Sequence, residues 1–184
     1  MKKSVSSLAD YVKTLSSGTT IVFENWVTFD KNGTRVFRSS QPYYGGSDDT
    51  LQKFDSRAIA LLKIYNIKGI LSLNHKLLYA NSKTALDNEH IDYHHLAVED
   101  YYPPTTQQLL SGCKKIDEFL GKGNALVYCG FGQGRTGTMM TAYDIYKLPK
   151  GSPASKLDDL IEASTAETDD QEKVLREFYK MQNP

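Results

Sequence analysis

The stretch ALVYCGFGQGRTGTMMTAYDIYKL, residues 125–148, changes character twice. ALVYC is apolar and short enough for a buried strand, GFGQGRTG is a glycine-rich loop, and TGTMMTAYDIYKL carries a helical pattern. That order puts the loop at the carboxyl end of a strand and at the amino end of a helix. Backbone N–H groups from Gly130 to Arg135 can then point inward around one tetrahedral anion. The helix adds positive potential, and the glycines permit the backbone this requires. Arg135 offers a planar fork that matches two oxygens of such an anion.

Working outward, TTIVFENWVTFD and TRVFRSSQP flank the turn DKNG and read as a hairpin. SRAIALLKIYNI reads as a helix through Ile59, Leu62 and Ile64, and IKGILSL, residues 67–73, as a buried strand. Residues 74–89 suit a loop with a short helix, and IDYHHLAV, 91–98, is the next expected strand. EDYYPPTT is a loop, because Pro103 and Pro104 disfavour helix before them, and Thr105 can cap the helix TQQLLSGCKKIDEFL. KLDDLIEAS and DQEKVLREFYKM give two further helical patterns. Strands alternating with helices indicate an α/β fold with a central, mainly parallel sheet covered on both sides. The first 17 residues read as a short amphipathic helix, with Leu8, Tyr11, Val12 and Leu15 on one face and Ser7 with Asp10 as its capping box.

The chain has 184 residues, 40% of them hydrophobic and 24% charged, which is the composition of an ordinary globular domain. Lys plus Arg and Asp plus Glu both number 22. Nucleic acid is therefore not an expected partner, since it calls for a basic face. No apolar run approaches the ~20 residues that span a bilayer, so no membrane insertion is expected. The start lacks the apolar stretch of a secretory signal, and a cytoplasmic location is the expectation. The two cysteines, Cys113 and Cys129, make neither a disulfide framework nor the clustered spacing of a zinc site.

Cys129 stands where the field of the loop and of the helix favours a thiolate over a thiol. It can therefore attack phosphorus, while Arg135 holds the oxygens and the Thr136 hydroxyl eases departure of the sulfur. The leaving oxygen needs a proton, and Asp100, in a loop whose shapes two prolines limit, is the candidate general acid. As a base, the same residue can activate the water that hydrolyses the phosphocysteine. Glu99 is the alternative acid. Neither step calls for a metal.

These residues carry a resemblance. Cys129, Gly132, Arg135, Thr136 and Gly137, in the pattern Cys-x-x-Gly-x-x-Arg-Thr-Gly, resemble the signature loop of cysteine-dependent protein phosphatases. VEDYYPP is similar to the general-acid loop of their small atypical dual-specificity group, with Asp100 at the acid. CGFGQGRTGTMMTAY and the later AETDDQEKVLREFY resemble that group to the C-terminus, and RSSQP at 38–42 resembles its entry segment. The resemblance spans roughly residues 35–181 and implies a protein-tyrosine-phosphatase-like fold, phosphomonoester hydrolysis and no cofactor. It implies that the loop residues Gly130, Phe131, Gly132, Gln133, Gly134 and Arg135 bind the substrate phosphate. Glu167 matches a water-positioning residue, with Gln171 its rival. Residues 35–184 are then the catalytic domain and 1–34 an N-terminal helix and strand extension packed on it. Tyr128 departs from the family, which usually has His before the cysteine.

The expected substrate is a phosphorylated protein or peptide, carrying phosphotyrosine and also phosphoserine or phosphothreonine. Gly130, Phe131, Gln133 and Gly134 bring no charge to neutralise extra phosphates, which disfavours a phospholipid or a nucleotide. A phosphate-binding module without turnover is the other alternative, and Tyr128 is the feature in its favour. Gly132, Gly134 and Gly137 also satisfy a dinucleotide fingerprint, but Asp158 beyond them falls in a helical pattern rather than at the end of a second strand. His94 and His95, adjacent in a strand, send their rings to opposite faces and suit no metal. Cys113, Met139 and Met140 read as helix packing. Tyr43, Tyr44, Tyr101 and Tyr102 are candidates for a substrate rim.

Overall fold

The computed structural model describes residues 13–31, 34–46 and 52–183. Its elements run β1 (Lys13–Ser17), β2 (Thr20–Lys31), β3 (Thr34–Ser40), α1 (Ser56–Ile64), β4 (Ile67–Ser72), α2 (Ala80–Asn88), β5 (Asp92–His95), α3 (Thr106–Leu120), β6 (Asn124–Cys129), α4 (Gly134–Lys147), α5 (Ala154–Glu162) and α6 (Asp169–Gln182). The strands form one sheet in the order β1-β2-β3-β6-β4-β5. β3, β6, β4 and β5 are parallel, and β1 and β2 join them antiparallel. The fold is the expected α/β architecture, with a mixed sheet whose centre is parallel.

Successive side chains of a strand point to opposite faces, and here they feed two cores. Val36, Leu71, Val127 and Cys129 face a core built with Leu109, Ile116, Met139, Tyr143, Leu175 and Phe178. Phe37, Ile70, Leu126 and Tyr128 face the other core, with Phe23, Trp26, Phe54, Ala58, Leu62 and Leu86. Cys113, Met139 and Met140 are packed in the first core, as their helical spacing predicts.

Local chemistry fixes the helix starts. The Asp55 carboxylate accepts from the N–H groups of Arg57 and Ala58, each at 3.1 Å. Thr105 and Gln108 form a reciprocal capping box on α3, a device whose loss typically costs about 1 kcal/mol. Thr168 accepts from Gln171 N at the start of α6, whose first turn carries Asp169, Asp170 and Glu172 against the positive end of the helix. The start of α4 differs: Gln133 occupies the cap position and makes no side-chain cap bond.

Two expectations are corrected. The helix read over residues 1–17 does not reach its end, because Lys13–Ser17 is β1, whose pairing with β2 and burial of Leu15 override the helical spacing. Its other residues, Leu8, Tyr11, Val12 and the Ser7 and Asp10 capping box, lie outside the described residues. The strand read over 91–98 stops at His95. Leu96 N makes one more bond, 2.9 Å to Ser72 O, before the chain leaves the sheet and turns the carbonyl of Val98 towards Arg135. The boundary expected between residues 34 and 35 falls at the β2–β3 hairpin, and the sheet runs on through it.

Candidate active site

β6 delivers Cys129 to the carboxyl edge of the sheet, and residues 130–133 form the loop from it to α4. The loop is held from β3. Gln41 N lies 2.8 Å from the carbonyl of Cys129 and 2.9 Å from that of Gly130. Gly132 has φ +84 and lies so close to the backbone of Ser39 that a β-carbon would sit 2.3 Å from its carbonyl carbon, so only glycine fits. Gly132 N–H donates to Cys129 Sγ at 3.3 Å. Asn25 in β2 donates from Nδ2 to the carbonyl of Phe131 at 2.9 Å.

The loop opens on a cavity of about 80 Å³ lined by Cys129, Phe131, Gln133, Gly134, Arg135, Asp100, Glu167, Tyr44 and Tyr101. Arg135 is buried, with Nη1 donating to Val98 O at 3.0 Å and its Nη2 2.9 Å from Asp100 Oδ1. Asp100 is exposed, and Tyr101 beside it has φ +64, a backbone conformation that costs a non-glycine residue of order 1–3 kcal/mol. The structure thus brings Cys129, Arg135, Asp100 and Glu167 to one cavity. Glu99 does not line it.

Thr136 differs from its expected contact. Its Oγ1 is fully buried and makes no hydrogen bond among the described residues, to Cys129 Sγ or to any other group. Glu167 is held tightly. A β-carbon on Gly134 would lie 2.3 Å from Glu167 Oε2, and Gln171 Oε1 accepts from Glu167 N at 2.8 Å. Burial pushes the Glu167 carboxyl above its ordinary range; the Gly134 N–H opposes the shift and the charge of Asp100 reinforces it. Gln171 is buried and also reaches Tyr102 O at 3.5 Å, so it ties α6 to the Asp100 loop rather than opening on the cavity.

Tyr128 sits on the opposite face of β6. Its hydroxyl donates to Gln52 Oε1 at 2.6 Å, and its ring packs on Phe54. Of the four rim tyrosines, Tyr44 and Tyr101 reach the cavity. Tyr43 instead donates to Asp55 at 2.7 Å. The sequence reading missed a polar layer behind the loop: the buried Arg38 donates from Nη1 to Thr165 Oγ1 at 2.5 Å, and Thr165 Oγ1 donates to Gln133 O at 3.3 Å. The Arg of RSSQP was the available signal. Burial lowers the Arg38 guanidinium to about 10, and the charge of Cys129 acts in the other direction. Among the described residues no group of three or more His, Cys, Asp and Glu side chains could hold a metal, and no helix is long and apolar enough to cross a membrane.

Solved structures share this fold. Tk-PTP in its active form matches with a TM-score of 0.60 at 21% identity, over 83% of this chain and 96% of its own. PTPMT1 in complex with PI(5)P matches at 0.60 and 17%, over 79% and 90%. Human DUSP28 matches at 0.55 and 14%, over 79% and 92%. Fold and loop define a phosphatase of dual-specificity type within the protein-tyrosine-phosphatase superfamily. The family model described as "Polymorphic toxin system, DSP-PTPase phosphatase" matches residues 48–148, more than half of the chain, and the chain belongs to that family.

Proposed function

We propose that the protein hydrolyses phosphotyrosine, and also phosphoserine and phosphothreonine, in phosphorylated proteins through a phosphocysteine intermediate. The observation that carries this reading is the convergence of Cys129, Arg135 and Asp100 on one small cavity at an uncapped helix start. A helix start that no side chain caps presents its positive end to an anion.

In the proposed reaction the Cys129 thiolate forms a bond to phosphorus as the ester P–O bond breaks. Arg135 and the N–H groups of residues 130–135 hold the three phosphoryl oxygens. Asp100 gives its proton to the leaving oxygen and takes one from the water that then displaces the sulfur. Asp100 has to leave Arg135 Nη2 for this, which frees the guanidinium fork for phosphate as the carboxyl moves to the leaving group. Thr136 brings the fully buried hydroxyl expected to assist departure of the sulfur. Glu167, which lies against Gly134, orients the water in this scheme.

The rim favours an aromatic ester: Tyr44 and Phe131 pack with ring centroids 5.5 Å apart at the mouth, beside Tyr101. Arg135 is the one cation lining the cavity among the described residues, which supports a single phosphate over a multiply phosphorylated lipid or nucleotide. The binding-module reading rested on Tyr128, whose side chain points to the other core. The two cysteines, both free, suit a reducing compartment such as the cytoplasm.

The test is hydrolysis of a chromogenic aryl phosphate in the presence of a chelator. Turnover by the unsubstituted protein, absent from Cys129→Ser, supports the reading and leads to a panel of phosphotyrosine, phosphoserine and phosphothreonine peptides. Turnover that survives Cys129→Ser, or that the chelator abolishes, would overturn it.

A further inference from the structure

Resting on that proposed activity, we infer that Asn25 is a positioning residue of the anion-binding loop, so that β2, which precedes the segment matched by the family model, is a working part of the site. Asn25 holds one peptide plane. The carbonyl of Phe131 and the N–H of Gly132 belong to the same planar, trans peptide and point in opposite directions. On one side the carbonyl accepts from Asn25 Nδ2 at 2.9 Å; on the other the N–H donates to Cys129 Sγ at 3.3 Å. A flip of this peptide would aim a carbonyl oxygen, with its lone pairs, at the thiolate and at any bound phosphate. The Asn25 bond opposes that flip.

β2 is shaped to make this bond. Its register against β1 runs from Leu15↔Phe23 to Lys13↔Trp26, so three steps of β2 oppose two of β1. The surplus residue is accommodated at Glu24 and Asn25, and Asn25 has φ +52. A bulge of this kind re-aims a side chain out of the regular alternation, and asparagine is among the few residues that accept the left-handed backbone. The pairing of β2 with β3 ends at Val27↔Arg38, just before the bulge. Past that point Glu24 N donates to Ser40 Oγ at 2.8 Å in place of a strand bond, which keeps β2 beside the end of β3 and the loop. Phe131, whose carbonyl is held, is also the residue whose ring meets Tyr44 at the cavity mouth.

Two substitutions separate the hydrogen bond from the backbone conformation. Asn25→Gly keeps the left-handed backbone at no steric cost and removes only the donor; Asn25→Ala removes the donor and adds strain. On the full chain we would measure kcat and KM for an aryl phosphate, the affinity for inorganic phosphate by calorimetry, and the thermal midpoint. The expected result for Asn25→Gly is a midpoint lowered by no more than about 2–4 °C, the cost of one hydrogen bond in a domain of this size, with kcat/KM and phosphate affinity each lowered about fivefold to tenfold. Asn25→Ala should lose the same activity and melt earlier still. Asn25→Gly with wild-type kcat/KM and phosphate affinity would overturn the inference and leave the phosphatase reading standing. An unsubstituted chain that neither hydrolyses aryl phosphate nor binds inorganic phosphate would overturn both. If phosphate is bound without turnover, the calorimetric comparison alone decides for or against Asn25.

Discussion

Asp100 and Glu167 are two carboxylates that share a cavity with Arg135, and their surroundings set them apart. Asp100 is exposed and paired with Arg135 across 2.9 Å, which suits a group that has to move. Asp100→Asn keeps the shape of the loop and removes the exchangeable proton. Its kcat should fall by about 10²–10⁴-fold, and an undiminished rate would take the acid role away from Asp100. Glu167 lies against Gly134 on the cavity wall, and desolvation there first, with the charge of Asp100 in support, raises its carboxyl above the ordinary 4.5. The native state therefore keeps a proton that the unfolded chain has already released. The stability this confers is full below 4.5 and is lost as pH rises through the raised value. Glu167→Gln removes the titration. Denaturant midpoints measured from acid to neutral pH should show the wild type falling behind Glu167→Gln as pH rises; parallel curves would assign Glu167 an ordinary carboxyl.

At the scale of the element, β6 serves both cores by alternation. Val127 and Cys129 belong to the face covered by α3, α4 and α6, and Leu126 and Tyr128 to the face with α1 and the hairpin. Tyr128 is thus a structural residue of the second face, where Gln52 Oε1 gathers its hydroxyl at 2.6 Å, that of Ser72 at 3.4 Å and that of Tyr93 at 3.5 Å. Tyr128→Phe should cost roughly 0.5–1.5 kcal/mol of stability, the net value of one hydrogen bond, because Gln52 Oε1 keeps Ser72 and Tyr93, and leave kcat/KM within about twofold by the free-energy scale of rates. A tenfold loss of kcat/KM at unchanged stability would instead give Tyr128 a part in the chemistry. The strand, loop and helix over 125–148 were legible because their signals are local: an apolar run, glycines and a helical pattern. So was α3, from Thr105 and the two prolines before it. The bonds that brace the loop were not legible. Asn25 reaches Phe131 across 106 positions, and Arg38 reaches Thr165 across 127, and no spacing rule connects residues so far apart.

For the whole molecule, the question is whether residues before 35 are an addition to a domain or a part of it. We propose the second. β2 pairs with β3 inside a single six-stranded sheet, and Trp26 lies fully buried with ring centroids 5.0 Å from Phe37, 5.0 Å from Tyr65 and 5.4 Å from Phe23. Two of those rings belong to β2's neighbour β3 and to the end of α1, so the aromatic cluster spans the expected boundary. Trp26 is also the only tryptophan in the chain, so its fluorescence reports on β2, while the helices among the described residues, all after residue 55, give the helical circular dichroism. If the chain unfolds as one cooperative unit, the two signals follow one transition in denaturant. Phe23→Ala, a change confined to the segment before residue 35, should cost roughly 3–5 kcal/mol and shift both transitions equally. Fluorescence that changes first, with the helical signal and phosphatase activity persisting to higher denaturant, would make the segment a separable extension. Loss of activity together with the fluorescence signal is the expected course, because the strand that carries Trp26 also carries Asn25 to the loop.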